Sequence, residues 1–246
     1  MLLHIQMPGA TFVASPRRWL KEYGRRIKPG ARPLLILQPM GPVMFVFDVS
    51  DTEPLPGAPP LPHEVIQPFE TTGTKVGDRL RMLDQNSRRD GIKITYTKQG
   101  SQSAGQITIR KEPYTEYFVL KGKNKKIIEV PIRYDIVINE ALSDETKYAS
   151  TVHELAHLYC GHLGTPNIRW WPSRTGLKES VEEFEAEATS YLVCKRIGIY
   201  SPSEKYLIHY VENNETIPSI SLNIILKSAG LIERMSNQKL PLRKSN

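Results

Sequence analysis

An α+β fold is what this chain predicts, on three observations. Between residues 92 and 138 apolar residues alternate at period two, and from 144 to 197 they recur at helical spacing in two long proline-free stretches. The first sixty residues carry separate apolar runs ahead of a proline-rich break.

Taken in order, Pro16 to Tyr23 reads as a short helix. The runs Pro33-Leu-Leu-Ile-Leu37 and Val43-Met-Phe-Val-Phe47, joined through Pro39-Met-Gly-Pro42, read as a hairpin or two sheet strands. Between Arg17 and Arg32 there are seven basic residues against one acid, Glu22, with Trp19 and Tyr23 among them. Arg17, Arg18, Lys21, Arg25, Arg26 and Lys28 then form a candidate single-stranded nucleic-acid surface, since that kind of binding combines cations with aromatic stacking platforms; an ordinary solvated basic helix has the same pattern. Asp51 to Pro62 holds five prolines and a glycine, the composition of a linker. The expected organisation is a basic N-terminal module over 1–50, a linker over 51–62, a main domain over 63–237 and a basic, frayed tail over 238–246.

In the main domain Ile92 to Thr97 and Gln106 to Arg110 alternate cleanly around a turn-like Gly100 to Gly105 stretch, which predicts a hairpin. Ile127 to Ile138 is a third strand interrupted by Pro131, which places it at an edge or splits it in two. Ser143 and Asp144 offer an N-cap, and the helix they open runs to about Leu163, where Gly161 and Gly164 can end it. A second helix spans Leu177 to Ile197 and closes at Gly198. Ser203 to Glu212 and Ser219 to Asn237 are two further helices.

The first long helix carries His153-Glu154-Leu155-Ala156-His157. Two histidines four apart are separated by about 40° around the helix axis, so both imidazoles can reach one metal ion, while Glu154, about 100° from His153, sits beside that ion free to take a proton from its water. This is a zinc-hydrolase signature. A catalytic zinc takes three protein ligands and a water, so one ligand must come from elsewhere. On the second helix Glu183 and Glu187 project to a largely apolar face, where a carboxylate is costly without a positive partner, and Glu182 and Glu185 project to a solvated one. The preferred reading is Zn2+ held by His153, His157 and Glu183, with Glu187 orienting a ligand histidine. On a continuous helix His162 points about 140° away from His157 and reads as a capping or surface histidine. His4, His63 and His209 have no partner in sequence and read as ordinary residues.

The run Tyr134 to Asn139, then Tyr148 to His157, then Glu182 to Val193 resembles the ImmA/IrrE-like zinc metallopeptidases, and in particular the peptidase-like domain of ArdC-type antirestriction proteins. The resemblance covers roughly residues 63 to 200. It implies a gluzincin-like metallopeptidase core: a small twisted sheet, an active-site helix, and a following helix that brings the third ligand, which the family's pattern allows to be Glu183, Glu185 or Glu187. It further implies a cytoplasmic zinc endopeptidase, often carried on mobile elements, with a protein substrate such as a transcriptional repressor. The alternative it implies is a single-stranded-DNA-associated antirestriction-type protein whose peptidase-like domain is structural or conditionally active.

Composition bounds these readings. The 246 residues are 39% hydrophobic, enough for a good core with a small appended module. The net charge of +7 favours acidic partners. Two cysteines give no disulfide framework, and no apolar run reaches membrane-spanning length, so no membrane partner is expected.

Overall fold

A computed structural model describes residues 6–7, 10, 12–36, 43–62, 65, 71–99, 104–120, 126–212 and 217–243. The chain divides into two compact units, residues 1–70 with 98–104 and residues 71–97 with 105–246.

In the first unit β1 (Val13–Ala14), β4 (Met44–Asp48) and β3 (Leu34–Ile36) form an antiparallel sheet in the order β1-β4-β3, and β2 (Arg25–Ile27) pairs with β5 (Thr52–Pro54). The expected hairpin is the β3–β4 pair; its Pro39–Pro42 connection lies outside the described residues. Helix α1 (Pro16–Tyr23) begins where expected, because the Ser15 hydroxyl accepts from the Arg18 N–H and Pro16 occupies the first turn. β5 falls inside the proline-rich stretch expected as a linker, whose first residues are thus pinned to β2.

The second unit contains β6 (Thr72–Gly73), α2 (Gly77–Arg89), β7 (Ile92–Thr97), β8 (Gly105–Leu120), β9 (Lys126–Asn139), α3 (Asp144–Tyr159), α4 (Glu179–Arg196), β10 (Ile199–Tyr200), α5 (Ser203–Glu212) and α6 (Leu222–Asn237). Its main sheet has the order β7-β9-β8, with β9 parallel to β7 and antiparallel to β8. This corrects two expectations. β7 and β8 run antiparallel but are not hairpin partners, because β9 enters between them. β9 is central from Tyr134 to Asn139, while the half that carries Pro131 is paired with β8 alone, so the expected edge holds only there; Val130, Ile132, Tyr134, Ile136 and Ile138 put one buried face against the helices. Pro131 is tolerated there because the β7 pairing begins only at Tyr134, so its missing N–H breaks no bond to β7.

α3 packs on β8 and β9 from one side and on α2, α4 and α6 from the others. That is why Val152, Leu155, Ala156 and Leu158 are fully buried, the larger of them contributing about 1.5–3 kcal/mol each. The helix carrying the histidines is therefore a core element, a rigid place for ligands to stand.

The C-terminal stretch is fastened through Arg243, contrary to the frayed tail expected. Asn86 donates to the carbonyls of Met235 and Gln238 at 2.6 and 2.9 Å and accepts from the Leu240 N–H at 2.9 Å. Arg243 donates to both oxygens of buried Asp90, which also accepts from the Tyr159 hydroxyl, and lies over the Trp170 and Trp171 rings. Residues 244–246 lie outside the described residues.

Candidate metal centre

Ser143 caps α3 by accepting from the Thr146 N–H, and Asp144 and Glu145 put negative charge in its first turn. Two turns later His153 and His157 project together, Nε2 to Nε2 at 3.1 Å. α4 lies alongside and delivers Glu183, whose carboxylate oxygens stand 3.7 Å from His153 Nε2 and 3.5 Å from His157 Nε2. Ligand atoms about 2.0–2.1 Å from a tetrahedral zinc stand about 3.3–3.4 Å apart. The two imidazole nitrogens and the two oxygens of Glu183 stand at distances that bracket that spacing, and their chemistry suits a divalent ion.

Burial and the neighbouring His153 and His162 push the His157 pKa down to about 3, so its imidazole is neutral over the working range. Burial pushes the Glu183 carboxyl up, against the attraction of His153. Glu187 places an oxygen 3.5 Å from Nδ1 of His153.

Glu154 points from α3 toward β8. Burial lifts its pKa to about 6, against the pull of His153 and a hydrogen bond from the backbone of Ile107. Gly105 lets the strand come this close, since a Cβ there would meet the Ile138 side chain at 2.8 Å and Glu154 at 3.4 Å. A cleft of about 410 Å³ opens over the cluster, walled by Gly105 to Ile107 of β8, by His153, Glu154 and His157 of α3, and by Glu182 and Glu183 of α4.

His162 is not a surface residue; its side chain is 2% exposed. α3 stops at Tyr159, short of the expected Leu163, and Gly161 turns the chain at φ 90° with its carbonyl accepting from the Arg174 N–H. A Cβ at Gly161 would lie 2.5 Å from the Pro172 carbonyl oxygen. The turn swings His162 back, so that its Nδ1 reaches Nδ1 of His157 at 3.1 Å and its Nε2 reaches Glu185 at 3.1 Å. The projection based on a continuous helix fails for that reason.

Glu185 is likewise not solvated. It is fully buried, gripped by both terminal nitrogens of Arg174 and by the Ser221 N–H at 2.8 Å. Burial opposes its ionisation, but hydrogen bonds from His162, Arg174 and Ser221 outweigh it and hold the carboxyl down at about 2. Projection assigned it to water because α4 is covered on more than one side, by α3, α5 and α6. Glu182 remains partly exposed at the cleft. His4, His63 and the side chain of His209 lie outside the described residues.

In the first unit Trp19 is fully buried, with its indole N–H donating to the Phe47 carbonyl at 2.8 Å and its ring against Phe12 and Tyr23. It is a core residue and offers no stacking face, which removes one expected nucleic-acid contact. Arg18 pairs with Glu22, Arg26 with Glu53, Arg25 with Thr52, and Lys28 with the Ser50 carbonyl. Arg17, Lys21 and Arg32 are exposed. Among the described residues no helix is long and apolar enough to cross a membrane.

A comparison with curated proteins finds no match. Among solved structures, the chain is similar to the Mn(II)-bound crystal structure of the antirestriction ArdC protein from the R388 plasmid, at 14% identity over 92% of this chain and 77% of that one, with a TM-score of 0.27. Residues 89–191 match the model of the IrrE N-terminal-like domain. The matched stretch runs from β7 into α4 and holds His153, Glu154, His157 and Glu183, so the candidate site lies within the part of the chain that is similar to the Peptidase_M78 family.

Proposed function

We propose that the second unit is a zinc-dependent endopeptidase with a gluzincin-like core, in which His153, His157 and Glu183 hold the ion and Glu154 is the general base. The observation that carries this reading is the convergence of three donor atoms within 4.8 Å of one another beside a buried carboxyl at the floor of a cleft. Zinc held by such a set lowers the pKa of a bound water toward about 7 and polarises a carbonyl. Glu154 takes the proton of the attacking water and returns it to the leaving amine, and a carboxyl shifted to about 6 suits both halves of that task near neutral pH. Ile107 holds Glu154 in place from β8. β8 is an edge of its sheet and passes directly over the cleft, so an extended substrate segment can add to it as a further strand. The substrate is then a protein with an accessible extended segment, a transcriptional repressor in the cytoplasm being the class that the family resemblance suggests.

The test is paired. Purified protein is expected to carry about one zinc per chain, and Glu154→Gln protein is expected to retain a bound protein that wild type releases cleaved. Full zinc occupancy in a His153→Ala, His157→Ala double variant would overturn the site.

The second reading, single-stranded DNA association through the N-terminal unit, rests on exposed Arg17, Lys21 and Arg32. With Trp19 in the core it becomes an electrostatic contact without that stacking platform.

A further inference from the structure

We propose that His162 and Glu185 are positioning residues that set the tautomer of His157, so that its Nε2 presents a bare lone pair to the metal. The inference rests on the metal reading above and extends it to residues behind the site.

The two oxygens of Glu185 accept from both terminal nitrogens of Arg174, from the Ser221 N–H and from His162 Nε2. An ionised carboxylate has only acceptor sites, so Nε2 of His162 must carry the hydrogen. In a neutral imidazole the other nitrogen is then bare. Nδ1 of His162 stands 3.1 Å from Nδ1 of His157, and with His162 neutral, since Arg174 already balances the charge of Glu185, the contact is a hydrogen bond only if His157 donates. His157 therefore carries its hydrogen on Nδ1, leaving Nε2 bare. That is the atom 3.1 Å from His153 Nε2 and 3.5 Å from Glu183.

The chain of dependence is Arg174 and Ser221 to Glu185, Glu185 to His162, and His162 to His157, with no exposed member between Glu185 and His157. A ligand histidine is usually oriented by a carboxylate or carbonyl at its second nitrogen; here a second histidine relays the carboxylate's influence one step further. Cys160, His162 and Glu185 also bring donor atoms within 4.8 Å of one another. With Arg174 gripping Glu185, that group is a hydrogen-bonded relay and not a second cation site.

Two measurements test this. Long-range proton–nitrogen correlation spectra of metal-free, histidine-labelled protein are expected to show His162 with its hydrogen on Nε2 and His157 with its hydrogen on Nδ1. A His157 that carries its hydrogen on Nε2 would overturn the relay, whether or not the protein binds metal. Zinc affinity, read by competition with a chelator, is expected to fall roughly 10–100-fold in His162→Phe. It is expected to stay close to wild type in His162→Gln, whose amide can still accept from His157 and donate to Glu185. If His162 merely fills space, Phe is tolerated at least as well as Gln, and that order of affinities sinks the proposal. Two zinc ions per chain would sink it as well, since His162 would then be a ligand. A His162→Phe chain that fails to fold leaves the wild-type tautomers to decide. Wild type that binds no zinc would remove the metal reading alone.

Discussion

Oε1 of Glu187 stands 3.5 Å from Nδ1 of His153, the ring nitrogen opposite the one that faces Glu183 at 3.7 Å. One imidazole thus lies between two carboxylates a helical turn apart on α4, and in the proposed reading Glu183, on the cleft, is a ligand and Glu187 an orienting partner. Replacing a ligand is expected to empty the site, whereas replacing an orienting partner costs about 10–100-fold in affinity. Glu183→Ala should lose zinc under mild chelation, and Glu187→Ala should keep it more weakly. Zinc loss confined to Glu187→Ala, measured by metal analysis after dialysis, would exchange the two roles.

Glu154→Gln should retain zinc and fold while lowering hydrolysis by about a hundredfold or more, the loss expected for a general base. It also has a pH signature in metal-free protein. Burial raises the folded-state pKa of Glu154 from its ordinary 4.5 to about 6. A raised carboxyl stabilises the fold while protonated, so that contribution is complete below about pH 4.5 and is lost as pH rises through about 6. At ~1.4 kcal/mol per unit the span is about 2 kcal/mol. Gln has no proton to lose, so Glu154→Gln is expected to be more stable than wild type at neutral pH and to converge with it in acid. Urea unfolding at both ends of that range decides it, and a constant gap would refute the assignment of the burial cost to Glu154.

Glu185→Ala is expected to be far from silent. Removing one partner of a buried pair strands the other, at about 3–5 kcal/mol. For a chain of this size that is a fall in Tm of roughly 10 °C. In the metal-free protein the Glu185 carboxyl, held at about 2, contributes stability that is intact above its ordinary 4.5 and drains away as pH falls toward 2. A thermal scan in which Glu185→Ala melts with wild type would return Glu185 to solvent.

What the sequence makes legible is what local periodicity encodes. α1, α3 and α4 can be read to within a few residues because their caps and apolar spacing are local, and the pair His153 and His157 follows from α3 alone. Strand pairing is not local: the Gly-rich turn after β7 specifies a reversal of direction, while the insertion of β9 depends on which strand has a face to bury. The partners of His162 are illegible for the same reason. Gly161 was the available signal that the helix could end early, but nothing near Glu185 in sequence announces Arg174 or Ser221, and helix projection assumes a single dry face where α4 has several neighbours.

Arg243→Ala should cost about 1.5–3 kcal/mol, the range for hydrogen bonds to a charged group, because buried Asp90 loses the two guanidinium donors of Arg243 and keeps only Arg89 and the Tyr159 hydroxyl. Truncation after Asn237 should cost more, since it also removes Leu240 from the core and the Asn86 bonds to Gln238 and Leu240. Urea midpoints rank the two. Equal stability of the truncated and full chains would restore the frayed tail.

The nucleic-acid reading makes a prediction that the buried indole sharpens. If Arg17, Lys21 and Arg32 neutralise three phosphates, affinity for single-stranded DNA falls with salt at a log–log slope of about −2, at roughly −0.7 per contact. Charge reversal at Arg17 and Lys21 should then weaken binding and flatten that slope while leaving zinc content unchanged. Trp19→Ala should behave differently from the loss of a stacking contact. It opens the core around Phe12 and Tyr23, and large-to-small replacement of a buried aromatic costs about 3–5 kcal/mol. The expected result is cooperative loss of the N-terminal unit's structure together with any binding it supports. A Trp19→Ala protein that stays folded but loses only DNA affinity would put the indole back at an interface, and a flat titration at low salt would leave these cations as a solvated face.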